Sequence, residues 1–418
     1  MRAFFVVISI FFIGVIVYLN IKLYFGPDLN NKKETCRDVL CQLNYIEGEI
    51  KNNNLAYEMQ SIFPEGYVFT YALYGLSWCE LAMAEKNNPV LFDHAISEAR
   101  YAYNQINTGF ARSNFDSTLI PTYGIFYAGW KNYLLSKILA CTNEKDKNVI
   151  DEFTFQCDQI ASAFERSKTP YLESYLNSSW PADAFLAIAS LKIHDEIISD
   201  KYSSIIKNWI KNLKSKLDPE TKLIPHSTHS ETGKTIEGAR GSSISLILRL
   251  LTEIDPEFAV EQFKIYHEKF HITRFGLPAI SEYPEGEAGL GDVDSGPVIL
   301  GVGFAGTIVA IGTLKSFGEY GTANLLSNTI EAFGFSYTSD KKKRFVLGLL
   351  PIADLFISWS RISSANSEVI AIKGVNSYSL GSRLLFHVYS LLVIVFILLI
   401  LYRKSLLELI KNKLKVRL

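Results

Sequence analysis

The chain has 418 residues, with 42 basic against 43 acidic side chains and a formal net charge of −1. That balance excludes a global electrostatic case for nucleic acid, which wants a strongly basic domain. Hydrophobic residues make up 48% and aromatic residues 13%, a content that suits the wide interior of a large domain and segments that cross a bilayer.

The chain opens on an apolar run. Phe4 to Phe25 is long enough to cross a bilayer core at about 1.5 Å per residue, so residues 1–26 are expected to form an N-terminal transmembrane anchor. A cleaved signal peptide is the alternative. The run exceeds the usual apolar core of such a peptide, and no small-x-small site follows it. Cys36 and Cys41 lie just beyond and could pair outside the cytoplasm. Cys157 falls on the apolar stripe of a predicted helix, and no CxxC or Cys/His metal spacing is present.

Residues 34–366 carry a repeat. Prolines fall at Pro64, Pro121, Pro181, Pro297 and Pro351, at intervals of 57, 60, 116 and 54 residues, and the missing member falls near Ala239. Each point precedes an apolar segment. Proline suits a first helical turn because its absent N–H would have had no partner there. The segments after Pro181 (Ala184 to Ala189, Leu191) and after Arg240 (Ile244 to Leu251) are apolar nearly all round, and such helices are buried on every side. Between them lie one-sided stripes at helical spacing. One runs through Ile205, Ile206, Trp209, Ile210 and Leu213, another through Ile150, Phe153, Cys157, Ile160 and Phe164. Inner buried helix and outer amphipathic helix, six times over, predict an all-α fold, an (α/α)6 toroid of six helical hairpins flanked by two transmembrane helices. The last inner helix, Pro351 to about Ser363, would take its partner from Glu34 to about Lys51 at the other end of the chain. An open solenoid shares the rhythm, but its usual repeats are shorter.

The scheme makes Pro297 to Leu314 the fifth inner helix. A third membrane span is its alternative, and 18 residues holding four glycines is short for one. The same stretch contains Gly301-x-Gly303-x-x-Gly306, a dinucleotide pattern without the preceding strand that pattern needs. These glycines are expected to let helices approach closely.

All six loops leading into inner helices would open on one face, around the mouth of a central funnel. The fifth loop is the richest, with Glu282, Glu285, Glu287, Asp292 and Asp294 among Gly286, Gly289, Gly291 and Gly296. Glycines let a backbone approach a ligand. Clustered carboxylates shift one another's pKa, so that one donates a proton while another stays a base. The bland reading of Asp292 and Asp294 is capping of the helix that follows. Asp292-x-Asp294 fails as a calcium loop because Gly296 stands at the third ligand position. His226 and His229, with Glu231 near, lack a convincing third metal ligand. Trp180, ahead of Pro181 and Asp183, offers a stacking wall beside an acid. Arg240, the odd charge before an apolar helix, could fix an anionic substrate or pair with Asp183 or Asp292. The expected catalytic set is Asp292, Asp294, Glu282 and Asp183. The expected substrate-binding set is Trp180, Tyr123, Arg240, His226, His229 and Glu285. No metal or cofactor is expected.

Residues 384–402 form a second apolar run, followed by Arg403, Lys404, Lys411, Lys413, Lys415 and Arg417. A buried core helix is its alternative. Basic residues beside a span stay in the cytoplasm. This predicts a C-terminal transmembrane helix, a basic cytoplasmic tail over 403–418, an N-terminus also inside, and the main domain outside the cell membrane.

The hairpin rhythm, the Trp180-Pro181-x-Asp183 turn and the Gly291-Asp292-x-Asp294-Ser295-Gly296-Pro297 turn resemble the six-hairpin glycosidase-like superfamily over residues 35 to 365. More narrowly, the chain is similar to membrane-anchored proteins related to linalool dehydratase/isomerase. The wider resemblance implies carbohydrate hydrolases, lyases and epimerases working by acid–base chemistry. The narrower one implies water addition and removal on an isoprenoid alcohol with acid, His and Cys groups, although no cysteine stands in the expected funnel loops. The expectation is a membrane-tethered acid–base enzyme, hydrolase or lyase/isomerase, acting on a glycan or polyprenyl-type alcohol. Its partners are the lipid bilayer and that glycan or small-molecule substrate, with no nucleic acid. A non-catalytic binding or assembly module on the same scaffold is the alternative.

Overall fold

The computed structural model describes residues 2–293, 295–373 and 382–415. The apolar α1 (Arg2–Lys22) leads into α2 (Lys32–Asn52) and the short α3 (Leu55–Ile62). Five pairs follow in chain order. α4 (Gly66–Ala84) precedes α5 (Pro89–Ile106), and, after the one-turn α6 (Gly109–Arg112), α7 (Gly124–Thr142) precedes α8 (Lys147–Arg166). Next come α9 (Pro181–Ile197) with α10 (Ser203–Lys214), α11 (Gly241–Ile254) with α12 (Pro256–Phe270), and α13 (Phe304–Ser316) with α14 (Tyr320–Phe333). The chain ends with α15 (Pro351–Ile362), the short α16 (Ser367–Lys373) and the long α17 (Ser382–Lys415).

The first member of each pair is apolar all round, as its sequence requires, and the second buries one stripe. Helix starts are built as the sequence suggests. Pro181 and Pro351 occupy the first turn of α9 and α15, and Asp255 caps α12 by accepting the Phe258 N–H at 3.0 Å. α4 packs on α7, α7 on α9, α9 on α11, α11 on α13, α13 on α15, and α15 back on α4. The ring is therefore closed, and the fold is an (α/α)6 toroid. Its inner helices run parallel. Gly129 of α7 lies against Asp183 and Ala187 of α9, Gly306 of α13 against Gly241 and Ser242 of α11, and Gly312 of α13 against Ser360 of α15. At Gly306 and Gly312 a β-carbon would stand 3.0 and 3.2 Å from neighbouring backbone, so these glycines set the spacing between helices.

The sixth hairpin is assembled from both ends of the chain, with α2 covering α15. Buried charges lock it. Asp38 of α2 accepts from Lys343 Nζ at 2.6 Å and Arg361 Nη1 at 2.8 Å, and Glu331 of α14 pairs with the same two cations. Arg361 is fully buried. An uncompensated charge there would be strongly destabilising, which makes the arrangement all-or-none.

We call the end of the ring where inner helices begin the entry face, and the other the exit face. Four two-stranded antiparallel hairpins stand in the loops that lead to the entry face. β1 (Ser227–Thr228) pairs β2 (Thr235–Glu237), β3 (His271–Arg274) pairs β4 (Leu277–Ile280), β5 (Val298–Ile299) pairs β6 (Val302–Gly303), and β7 (Tyr337–Ser339) pairs β8 (Lys342–Arg344). These correct the sequence reading. The fifth inner helix begins at Phe304, not Pro297, because Leu300 and Gly301 both take positive φ, 54° and 81°, and fold the chain back as a tight hairpin. With 13 residues held between α11 and α15, α13 is too short for a span. The first, second and fourth inner helices begin at Gly66, Gly124 and Gly241, two or three residues past the predicted points.

The ring's interior is filled rather than funnel-shaped near the entry face. Phe69 of α4 meets Phe126 and Trp130 of α7 at 5.1 and 5.0 Å and Phe356 of α15 at 5.9 Å, and Trp130 meets Trp359 at 6.1 Å. Edge-on aromatic packing of this kind closes the lumen.

Two helices, spanning Phe4–Lys22 and Arg383–Arg403, are long and apolar enough to cross a membrane, and both are largely exposed. They pack on each other. Asn20 Nδ2 donates to Ser390 Oγ at 2.9 Å, and the Tyr24 hydroxyl meets His387 Nε2 at 2.6 Å. The pair docks on the domain through Leu23, Leu277, Ala332 and Phe386. α17 runs on past Tyr402 to Lys415, so the tail expected after residue 402 begins as a continuation of the helix. All five cysteines are free, including Cys36 and Cys41.

Candidate active site

Arg240 is the hub of the entry face. It is the residue before the first turn of α11 and only 3% exposed. The chain forces it inward, because the next residue, Gly241, is pressed on Ser281 so closely that a β-carbon would meet its carbonyl oxygen at 2.0 Å. The guanidinium donates from Nε to Glu282 Oε1 at 2.9 Å, from Nη1 to Asp292 Oδ2 at 2.5 Å, and from Nη2 to Ser295 Oγ at 2.7 Å. It lies 5.3 Å from the centre of the Tyr283 ring. Glu237 and His226 Nε2 approach Nη1 at 3.4 and 3.5 Å.

The two carboxylates on Arg240 differ in kind. Glu282 is fully buried and also accepts from the Ser242 hydroxyl at 2.7 Å and the Ser242 N–H at 3.2 Å. Burial raises its pKa above the usual glutamate range, and the bonds from Ser242 and Arg240 only partly offset this. Asp292 is exposed and turned toward solvent. Its partial burial opposes ionisation, but the Ser295 N–H and Arg240 outweigh that and draw it down to about 2. Asp292 does not cap α13, whose first turn begins at Phe304 behind Gly303. Its Oδ1 instead accepts the Ser295 N–H at 2.8 Å, pinning the fifth loop to itself and to Arg240. His226 hydrogen-bonds Ser243 through Nδ1. Burial first, and then the neighbouring Arg240, lower its pKa to about 4, so it is neutral at pH 7.

Trp180 and Asp183 stand one loop away, at the start of α9. Asp183 is buried and accepts from the Ser174 hydroxyl at 2.5 Å rather than from Arg240. Trp180 sits edge-on to Tyr175 at 5.7 Å, and the Tyr175 hydroxyl donates to Glu65 of the first loop. The two groups share an edge, because the Thr228 N–H donates to the Ser179 carbonyl at 3.0 Å. Ser174, Tyr175 and Ser295 carry no sequence signal beyond lying in entry loops.

Other expected site residues lie apart. Tyr123 faces Tyr127 at 5.6 Å and Arg112 at 5.7 Å, in a small cleft of about 120 Å³ at the base of α7 and α8. His229 is exposed near the tip of the β1–β2 hairpin and accepts the Glu231 N–H at 3.3 Å. Glu285 lies in a second cleft of about 370 Å³ with His271, Arg274 and Tyr283. Asp294 lies outside the described residues. A possible ligand set of Glu47, His94 and Glu98 on the outer helices is already bridged by Lys51, at 2.9 Å from Glu47 and 2.6 Å from Glu98.

The largest of the described cavities, about 530 Å³, opens on the exit face instead. Glu80, Lys137, Lys192, Arg249 and Glu253, from the ends of four inner helices, line it. Lys137 pairs with Glu253 at 2.9 Å, and the Arg249 guanidinium lies 3.6 Å from the centre of the Trp359 ring. The signal available in the sequence was charge inside otherwise apolar helices.

No protein-family model matches the chain, and no curated protein matches it either. Among solved structures, the chain is similar to the α-1,6-mannanase GH76A from Salegentibacter sp., with a TM-score of 0.47 and 10% identity over 79% of this chain and 99% of the other. It is similar to a polysaccharide lyase at 0.43 and 11%, over 82% and 100% of the two chains. For an α-amylase from Clostridium perfringens the values are 0.40 and 11%, over 69% and 85%. These overlaps are loose, and the toroid stands on the helix contacts of this chain alone.

Proposed function

We propose that the chain is a membrane-tethered acid–base enzyme, a hydrolase or lyase acting on a glycan or a polyprenyl-type alcohol at the entry face. The observation that carries the reading is Asp292. An exposed carboxylate that capped a helix would be structural, whereas this one is held ionised on a buried guanidinium and turned toward solvent. In this reading Asp292 is the ionised base or charge stabiliser. Neutral His226 stands beside it as a proton acceptor, and Asp183, next to the Trp180 wall, is the second carboxyl. Glu282 is a positioning residue that holds Arg240, since its buried oxygens reach no substrate. α1 and α17 are the spans, with the basic tail inside and the toroid outside.

The test is a screen of glycans and isoprenoid alcohols with the full chain in detergent. On any substrate found, Asp292→Asn should lower turnover by at least about a hundredfold, the low end for a lost general acid or base, while unfolding stays cooperative and the melting temperature falls only by what the lost ion pair with Arg240 contributed. Unchanged turnover would move the chemistry elsewhere, and the charged exit-face cavity would be the place to look.

A further inference from the structure

We infer that the entry face of the toroid lies on the membrane surface, its apolar loop tips seated among the lipids and its basic side chains among anionic headgroups.

The path of the chain sets the orientation. Tyr18 stacks on Phe335 at 5.5 Å and Lys22 Nζ bonds the Ser336 carbonyl at 2.9 Å, both just past the end of α14. The Gly26 and Leu29 N–H groups then bond Asn328 and Asn324, earlier in α14. Because α14 runs toward the entry face, α1 must project beyond that face, and α17 runs alongside it. The β3–β4 turn joins them there, with Phe275 meeting Tyr389 of α17 at 5.9 Å.

On the same face the entry loops present large apolar side chains to solvent. Leu290 is 90% exposed, Leu349 77% and Leu347 69%, with Ile299, Leu300 and Leu350 also exposed. Large apolar side chains exposed together on one face mark an interaction surface, and Arg274 Nε ties the β3–β4 turn to the Leu300 carbonyl at 2.7 Å. The exposed Phe275 and Phe335 rings join this face to the two apolar helices, through Tyr389 and Tyr18. Exposed Arg274, Lys341, Lys342 and Arg344 stand around the apolar tips, with Asp340, Glu285 and Glu287 as the acidic neighbours. An apolar centre with basic side chains fits an anionic bilayer, which attracts such residues near its surface. Leu290 and Val293 flank Asp292 on one loop, so a substrate reaching Arg240 from this side is an amphiphile, held in the bilayer with its polar or glycosyl group at headgroup height.

The inference rests on α1 and α17 crossing the membrane, and the test separates the two. The full chain is reconstituted into nanodiscs of phosphatidylcholine and phosphatidylglycerol, with acyl-brominated lipid as quencher. Tryptophan is introduced by Leu349→Trp, Leu300→Trp or Val90→Trp. Val90 is 80% exposed at the start of α5, on the exit face. Brominated lipid should remove most of the emission added at positions 349 and 300 and leave that at 90 intact. Particles that hold the chain but show no quenching at 349 and 300 overturn the placement while the spans stand. Quenching at 90 instead puts the bilayer on the exit face and overturns it as well. A chain that does not enter the particles overturns the spans and the placement together.

Discussion

At the residue scale, Arg240 is held between Glu282, Asp292 and Ser295 and fixes the fifth loop on the start of α11. Its other expected partner, Asp183, turned out to bond Ser174, because the start of α9 is fixed by its own loop. Arg240→Lys should abolish function and destabilise the fold while leaving charge unchanged, because one ammonium cannot hold Glu282, Asp292 and Ser295 in the fixed geometry of a guanidinium; loss of activity together with a lower melting temperature checks this. His226 makes a pH prediction. Its pKa in the fold, about 4, lies below the ordinary histidine value of 6.5, so the unfolded chain binds the proton more readily. Stability is therefore full above about pH 6.5 and falls as the pH drops toward 4. His226→Gln should flatten that slope in unfolding midpoints measured between pH 7 and 4. Asp292, held near 2, stays ionised in the fold throughout, and its own contribution begins to fall only at the acid end of that window, where the unfolded carboxyl starts to take up a proton.

At the scale of elements, the alternation of fully apolar and one-sided helices was readable because each runs twelve residues or more, enough for periodicity to speak. The β-hairpins were not, because strands of two to four residues carry no period and are set by positive φ at positions such as Leu300. The exit-face cavity was missed for another reason. The charge-rich loops lie ahead of the inner helices, while Lys137, Arg249 and Glu253 sit inside them. Two changes probe how the elements are held. Gly241→Ala places a methyl against the Ser281 carbonyl and should cost about 1–3 kcal/mol, the range for overpacking, with loss of the Arg240 contacts; a denaturant titration reads the first and activity the second. Asp38→Ala removes the carboxylate shared by Lys343 and Arg361 and should cost about 3–5 kcal/mol, as breaking a buried pair does. Arg361 and Lys343 pull the Asp38 pKa below its usual range against the effect of burial. Its contribution is thus present above about pH 4 and is lost as the pH falls through the depressed value. Asp38→Ala should remove that acid sensitivity.

At the scale of the molecule, the proposed topology gives a direct expectation. Protease added outside intact cells or spheroplasts should reach the toroid, and reporters fused to either terminus should report the cytoplasm; a protected toroid would end the placement of the domain outside. The closed ring also constrains how the chain can fold. Its last seam joins Asp38 to Arg361, 323 residues apart in sequence. The ring therefore stays open, with apolar inner helices uncovered, until nearly the whole domain has been synthesised. Bringing such distant segments together carries a large loop-closure entropy, and contacts of that range fold slowly. The Asn20–Ser390 contact lies just outside that seam. By holding both ends of the domain side by side, the terminal helices shorten the search for the final hairpin. The proposed anchors and the folding clamp are then the same two helices.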